Sequence, residues 1–288
     1  MPTLRGLIDT LRTTRNVWSV VLLKALGGER KISLRGGFVA TLSWPDYMTA
    51  RDLVMQGYTL ERSGDSVVCR RGDVDIAGTL HLLLPLAEKP GCLYDIDCRG
   101  KTVLDIGGCL GETAVDFARR GATKVVVYEP APWNLEFLRR NCAVNRVNAE
   151  IHDEGIGPRN EIVTVSYDRP HAGVGLASTG AFQAPFKIRD LADVIGTSGA
   201  DVAKFDCEGG EQALLGVPGA TLRMIEVYVI EAHGRELRDA LVEKFQASGF
   251  ETPKSRLLHK AGRPEQEPWI LAFRRLGPPH APWGPVAA

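Results

Sequence analysis

Val103-Leu104-Asp105-Ile106-Gly107-Gly108-Cys109-Leu110-Gly111-Glu112-Thr113 is an apolar strand that breaks into a glycine-rich turn and then opens a helix. Working outward, the helix is predicted over 111–120, with Ala114, Phe117 and Ala118 inward. Lys124 to Tyr128 reads as a second strand and Pro132 to Asn145 as a second helix, with Leu135, Leu138 and Cys142 on one face. Ala149 to His152 is a third strand. Strands alternating with helices at this spacing predict βαβ units on a parallel sheet, an α/β Rossmann-like core. Further on, the pattern predicts a strand from Ile162 to Tyr167 and a small-residue loop from His171 to Gly180. A helix near Ile188–Ile195, a strand from Ala200 to Phe205 and a short helix after Gly210 follow. The series closes with a strand from Met224 to Glu231, a helix from Glu236 to Ala247 and a hairpin ending in Trp269 to Phe273. Upstream, residues 1–27 read as one amphipathic helix stopped by Gly27-Gly28. Strands within 30–44 and 58–76 flank a helix from Pro45 to Gln56. The expected organisation is an α+β cap over 1–90, a cofactor domain over 91–277 and a Pro-rich, disordered tail over 278–288.

The turn excludes two cofactor classes. It lacks the Gly-x-Gly-x-x-Gly spacing of a dinucleotide site and the Gly-Lys-Ser/Thr end of a phosphate loop. Glu112 at a helix N-terminus would repel a diphosphate. A phosphate-free cofactor bearing an ammonium group fits better, and S-adenosylmethionine (SAM) is such a molecule. Asp105 is then placed on its ammonium side. Gly107 and Gly111 would give it access to backbone, with Gly108 in the same turn and Glu112 and Thr113 opening the helix beside it. Glu129, about 20 residues after the turn, has the position of an acid that accepts two ribose hydroxyls. Asp153 and Glu154 end the third strand, where an adenine amino group would lie.

These pieces resemble the FkbM family of SAM-dependent O-methyltransferases. The matching stretches are Val103 to Glu112, Tyr128-Glu129-Pro130-Ala131-Pro132-Trp133-Asn134, and Leu138 to Asn145. The most specific is Ala203-Lys204-Phe205-Asp206-Cys207-Glu208-Gly209-Gly210-Glu211, joined by Ile230-Glu231-Ala232-His233. The resemblance covers roughly residues 100–235. It implies a seven-stranded methyltransferase sheet, Pro130 and Asn134 in the cofactor region, and methyl transfer to a hydroxyl of a sugar, glycolipid or secondary metabolite. The sequence departs from the family at Gly108-Cys109-Leu110, where Ala-Asn-Ile is common, so the methionine end of SAM would be held differently.

A hydroxyl acceptor needs a general base within hydrogen-bond reach. Asp206, Glu208 and His233 stand at strand ends facing one crevice. His233 is expected to accept the proton, with an ordinary pKa near ~6.5. Asp206 is expected nearest the transferred methyl and also to orient SAM. Glu208 could instead favour a helix dipole. No metal is assigned, although the same three residues are acceptable ligands for a divalent ion.

Lys plus Arg and Asp plus Glu both number 35, so the net charge is zero. That argues against a nucleic-acid acceptor, which calls for a basic excess. RNA or protein methylation, and a non-catalytic SAM-fold binding module, are the alternatives. The six cysteines include no C-x-x-C pair, which suits reduced thiols and a cytoplasmic enzyme. No apolar run approaches the ~20 residues of a membrane span. Peripheral membrane contact through the N-terminal helix and a homo-oligomer both stay open.

Overall fold

The computed structural model describes residues 4–88, 94, 96–170, 174–175, 178–251, 254–257 and 268–277. The expected cap boundary at 90/91 and the Pro-rich tail at 278–288 lie outside the described residues. The chain forms two compact units. One comprises 1–93 with 143–145 and 170–172, the other 94–142, 146–169 and 173–288.

The first unit begins with two helices, α1 (Leu4–Thr13) and α2 (Val17–Leu26), where a single helix was expected. Asn16 is the physical reason for the break. Its side chain accepts from the Ser33 amide and donates to the Lys31 carbonyl, so it takes the place of a strand neighbour. A short antiparallel hairpin follows, β1 (Arg30–Ser33) with β2 (Val39–Leu42). Helix α3 (Trp44–Met55) starts where Ser43 caps the Asp46 amide and Pro45 fits the first turn. Three antiparallel strands, β3 (Thr59–Ser63), β4 (Ser66–Arg71) and β5 (Val74–Gly78), then lead to α4 (Leu84–Glu88).

The second unit carries the parallel sheet. Its strands are β6 (Thr102–Ile106), β7 (Lys124–Tyr128) and β8 (Ala149–His152), linked by α5 (Glu112–Arg119) and α6 (Pro132–Val144). A separate sheet follows, made of β9 (Gly155–Gly157), β10 (Glu161–Tyr167) and β11 (Phe182–Asp190), in the order β10-β11-β9. The helix expected from Ile188 starts later, as α7 (Leu191–Ser198), because Asp190 caps it and the preceding residues are strand. Ala184, Phe186 and Ile188 alternate inward with a period of two, and Pro185 stands where β9 does not reach. The main sheet resumes with β12 (Val202–Phe205). A 3-10 turn (Gly210–Leu215), α8 (Gly219–Leu222), β13 (Val227–His233) and α9 (Arg235–Ala247) follow, then β14 (Lys254–Leu257) and β15 (Pro268–Arg274).

The seven strands of the main sheet run in the order β14-β15-β13-β12-β6-β7-β8. All neighbouring pairs from β13 to β8 are parallel, and β15 is antiparallel to both β13 and β14. This is the Rossmann-like, seven-stranded sheet that the sequence predicts. The chain builds outward from β6 in one direction, then returns to lay β12 on the other side. The carboxyl ends of β6 and β12 therefore flank the point where strand order reverses, the place where open α/β sheets bind ligands.

Candidate active site

The glycine turn leaves β6 at that switch point. Gly107 adopts φ 78°, and a Cβ there would stand 1.9 Å from the Asp206 carbonyl oxygen. A Cβ on Gly108 would meet Val127 at 2.1 Å, and one on Gly111 would meet Leu138 at 2.8 Å. Gly107 and Gly111 were expected to open backbone to a ligand, with Gly108 in the same cofactor turn. Instead, the space beside their α-carbons is filled by β12, β7 and α6, so close packing of the turn dictates glycine.

Asp105 and Lys204 are directly opposite in the β6–β12 register. Both are fully buried, at 0% and 1% exposure, and their charged atoms lie 3.0 Å apart. The Lys204 ammonium also donates to the carbonyls of Ile106 and Gly107, while Thr113 donates its hydroxyl to Asp105. The Asp105 carboxylate, expected on the cofactor's ammonium, is thus engaged by Lys204 and Thr113. Sequence reasoning gave Lys204 no role. The available signal was a lysine inside an otherwise apolar strand.

Glu129 directly follows β7 and is buried. One carboxylate oxygen accepts the Cys109 amide and the other the Ala131 amide, each at 2.8 Å. Burial pushes its pKa up, and the two amides and Asn134 offset part of that rise. Asn134, in the first turn of α6, is buried beside it, so Glu129, Pro130 and Asn134 form one corner with the glycine turn. Each oxygen of a carboxylate has two acceptor positions, and one amide per oxygen leaves acceptor capacity for a diol. Glu112 lies in the first turn of α5. Asp153 and Glu154 follow β8, where Asp153 pairs with Lys187 at 2.9 Å and Glu154 stands 3.7 Å from Arg189.

The structure brings Asp206, Glu208 and His233 together, their nearest ligand-type atoms all within 4.8 Å of one another. Tyr94 donates its hydroxyl to Asp206 at 3.0 Å and lies 3.4 Å from Glu231. Glu231 and His233 point to the same side of β13, as two-residue spacing requires, and approach to 3.8 Å. Glu211 is fully buried and accepts the amides of Cys207 and Gly209, closing the turn after β12. It stands 3.7 Å from His233 Nδ1. Tyr94, Glu211 and Glu231 thus join the cluster. Tyr94 had no sequence signal near any motif.

Burial disfavours the charged imidazole, yet the carboxylates of Glu211, Glu208 and Asp206 more than offset it and raise His233 to about 9. At neutral pH the ring is therefore an imidazolium in the ligand-free protein. The expected proton acceptor with an ordinary pKa is not what this geometry provides.

Two non-glycine residues of this region hold left-handed backbone, Cys109 at φ 46° and Glu208 at φ 51°. Such conformations cost roughly 1–2 kcal/mol and cluster at functional sites. The loop between β10 and β11 presses on one of them. A Cβ on Gly175 would lie 2.2 Å from the Glu208 carbonyl.

No family model and no curated protein matches the chain. Among solved structures it is similar to precorrin-6y C5,15-methyltransferase from Geobacter metallireducens GS-15 (16% identity, 62% of this chain and 81% of that one, TM-score 0.39). It is also similar to M. jannaschii TYW2 in complex with AdoMet (12% identity, 76% and 87%, TM-score 0.40). A third is an rRNA methylase from Streptococcus thermophilus (13% identity, 63% and 90%, TM-score 0.38).

Proposed function

We propose that the chain is a SAM-dependent methyltransferase of the FkbM type that methylates a hydroxyl of a small molecule, a sugar, glycolipid or secondary metabolite. The observation that carries this reading is the Glu129 corner beside the switch point. A buried carboxylate is held by two amides, one of them in the glycine turn, with acceptor positions left for a ribose diol. Asn134 steadies the same carboxylate.

The cofactor would supply an activated methyl group, and the chain's part is positioning and exclusion of water. Asp206, just after β12, accepts a hydrogen bond from Tyr94, and we assign it the hydroxyl proton. His233 stands among the carboxylates of Glu208, Glu211 and Glu231. Neutral overall charge supports a small acceptor over RNA.

Calorimetric titration with SAM tests the reading. The wild type is expected to bind. Glu129→Ala is expected to lose two charge-assisted hydrogen bonds, each worth roughly 1.5–3 kcal/mol. A wild type that ignores SAM and binds NAD would sink the proposal, and unchanged affinity in Glu129→Ala would remove that residue from the pocket.

A further inference from the structure

We propose that Asp206, Glu208 and His233 form a binding site for one divalent cation of the Mn²⁺ class, set in the crevice at the end of β12 and β13. The proposal rests on the methyl-transfer reading only for its purpose, not for its geometry.

Three observations point to it. The first is spacing. Glu208 Oε2 lies 3.7 Å from His233 Nε2, too long for a hydrogen bond. Two ligand atoms each about 2.1–2.2 Å from a shared ion are about 3.0–4.4 Å apart, depending on the angle between them. All the ligand atoms of the triad lie within 4.8 Å of one another, so a side-chain shift of at most about half an ångström brings them to that range.

The second is the imidazole itself. Both ring nitrogens are buried, and neither has a hydrogen-bond partner. Carboxylates surround the ring at 3.7–3.8 Å, in charge contact but without a bond. A metal ligand position satisfies one nitrogen directly.

The third is charge. Asp206, Glu208, Glu211 and Glu231 converge on one imidazole, and the nearby Lys204 is already committed to Asp105 and two carbonyls. Four carboxylates gathered around one ring favour a bound divalent cation there. Glu208 holds left-handed backbone at φ 51°, and Gly175 packs against its carbonyl.

Two carboxylate oxygens and one imidazole nitrogen suit Mn²⁺ better than Mg²⁺, which prefers oxygen alone, and lack the thiolates of structural zinc sites. Such a cation would lower the pKa of an acceptor hydroxyl, and its binding through the neutral imidazole would release the ring proton of His233.

The test uses the full-length protein and Mn²⁺ alone, with binding followed by electron paramagnetic resonance and thermal unfolding. One saturable Mn²⁺ per chain and a raised melting temperature are expected. Glu208→Gln should weaken binding at least about tenfold and abolish the thermal shift, while Glu161→Gln, a carboxylate on β10 paired with Arg159, should leave both intact. His233→Gln should act like Glu208→Gln. No saturable binding by a folded wild type, or equal losses in Glu161→Gln, would overturn the site. SAM titration is run in parallel: absence of SAM binding with intact Mn²⁺ binding would strike the methyltransferase reading and leave the metal site standing.

Discussion

The buried pair between Asp105 and Lys204 shows how a single residue escapes sequence reading. Lys204 sits between Ala203 and Phe205 in a strand that is otherwise wholly apolar. Only the parallel register of β6 and β12, which puts it opposite Asp105, says what the charge is for. Removing one partner of such a pair leaves an uncompensated buried charge, at a cost of roughly 3–5 kcal/mol. Lys204→Met is therefore expected to lower the urea midpoint sharply. Adding Asp105→Asn should recover much of the loss, since both charges are then gone. A single mutant as stable as the wild type would mean that the pair is not what holds β6 against β12. Glu129 was readable because its place, the end of the second strand, is fixed by counting. The raised pKa of His233 was not, because three of the carboxylates around it are set by turn geometry and strand direction.

At the scale of elements, the parallel strands were legible because each is a short apolar run bounded by turn residues. Two elements were not. β9 is three residues long, too short to carry a period. β11 overlaps an apolar stretch that suits a helix equally well, and its pairing with β10 decides the matter. The glycine turn was found for one reason and needed for another, since neighbouring strands and helix occupy the room beside its α-carbons. Gly107→Ala places a methyl group 1.9 Å from the Asp206 carbonyl and forces a residue with a side chain to hold φ 78°. Overpacking costs about 1–3 kcal/mol and the left-handed backbone about 1–2 more. The variant is expected to lose stability in chemical denaturation and to displace Asp206, so SAM affinity should fall with it. Wild-type stability in this variant would show that β6 and β12 can part at no cost.

For the whole molecule, every cofactor and acid-cluster residue belongs to the second unit, while the first holds its own core around Leu23, Ile32, Tyr47 and Leu53. We propose that the first unit is an acceptor-side cap or an oligomer contact. Trp18, Leu22 and Leu26 of α2 are exposed apolar residues suited to such contact. Deleting residues 1–28 should leave SAM binding intact but change turnover or the mass in solution. A truncated protein with full activity and unaltered mass would count against the cap. Among the described residues, no helix is long and apolar enough to cross a membrane. The placement of β15 has a consequence for how the chain is made. β13 is buried along almost its whole length and depends on β15 for one flank, yet β15 comes from residues 268–274. During translation the growing polypeptide therefore presents an unpaired apolar strand edge until residues 268–274 have left the ribosome. That exposed edge is the feature on which aggregation and chaperone capture act.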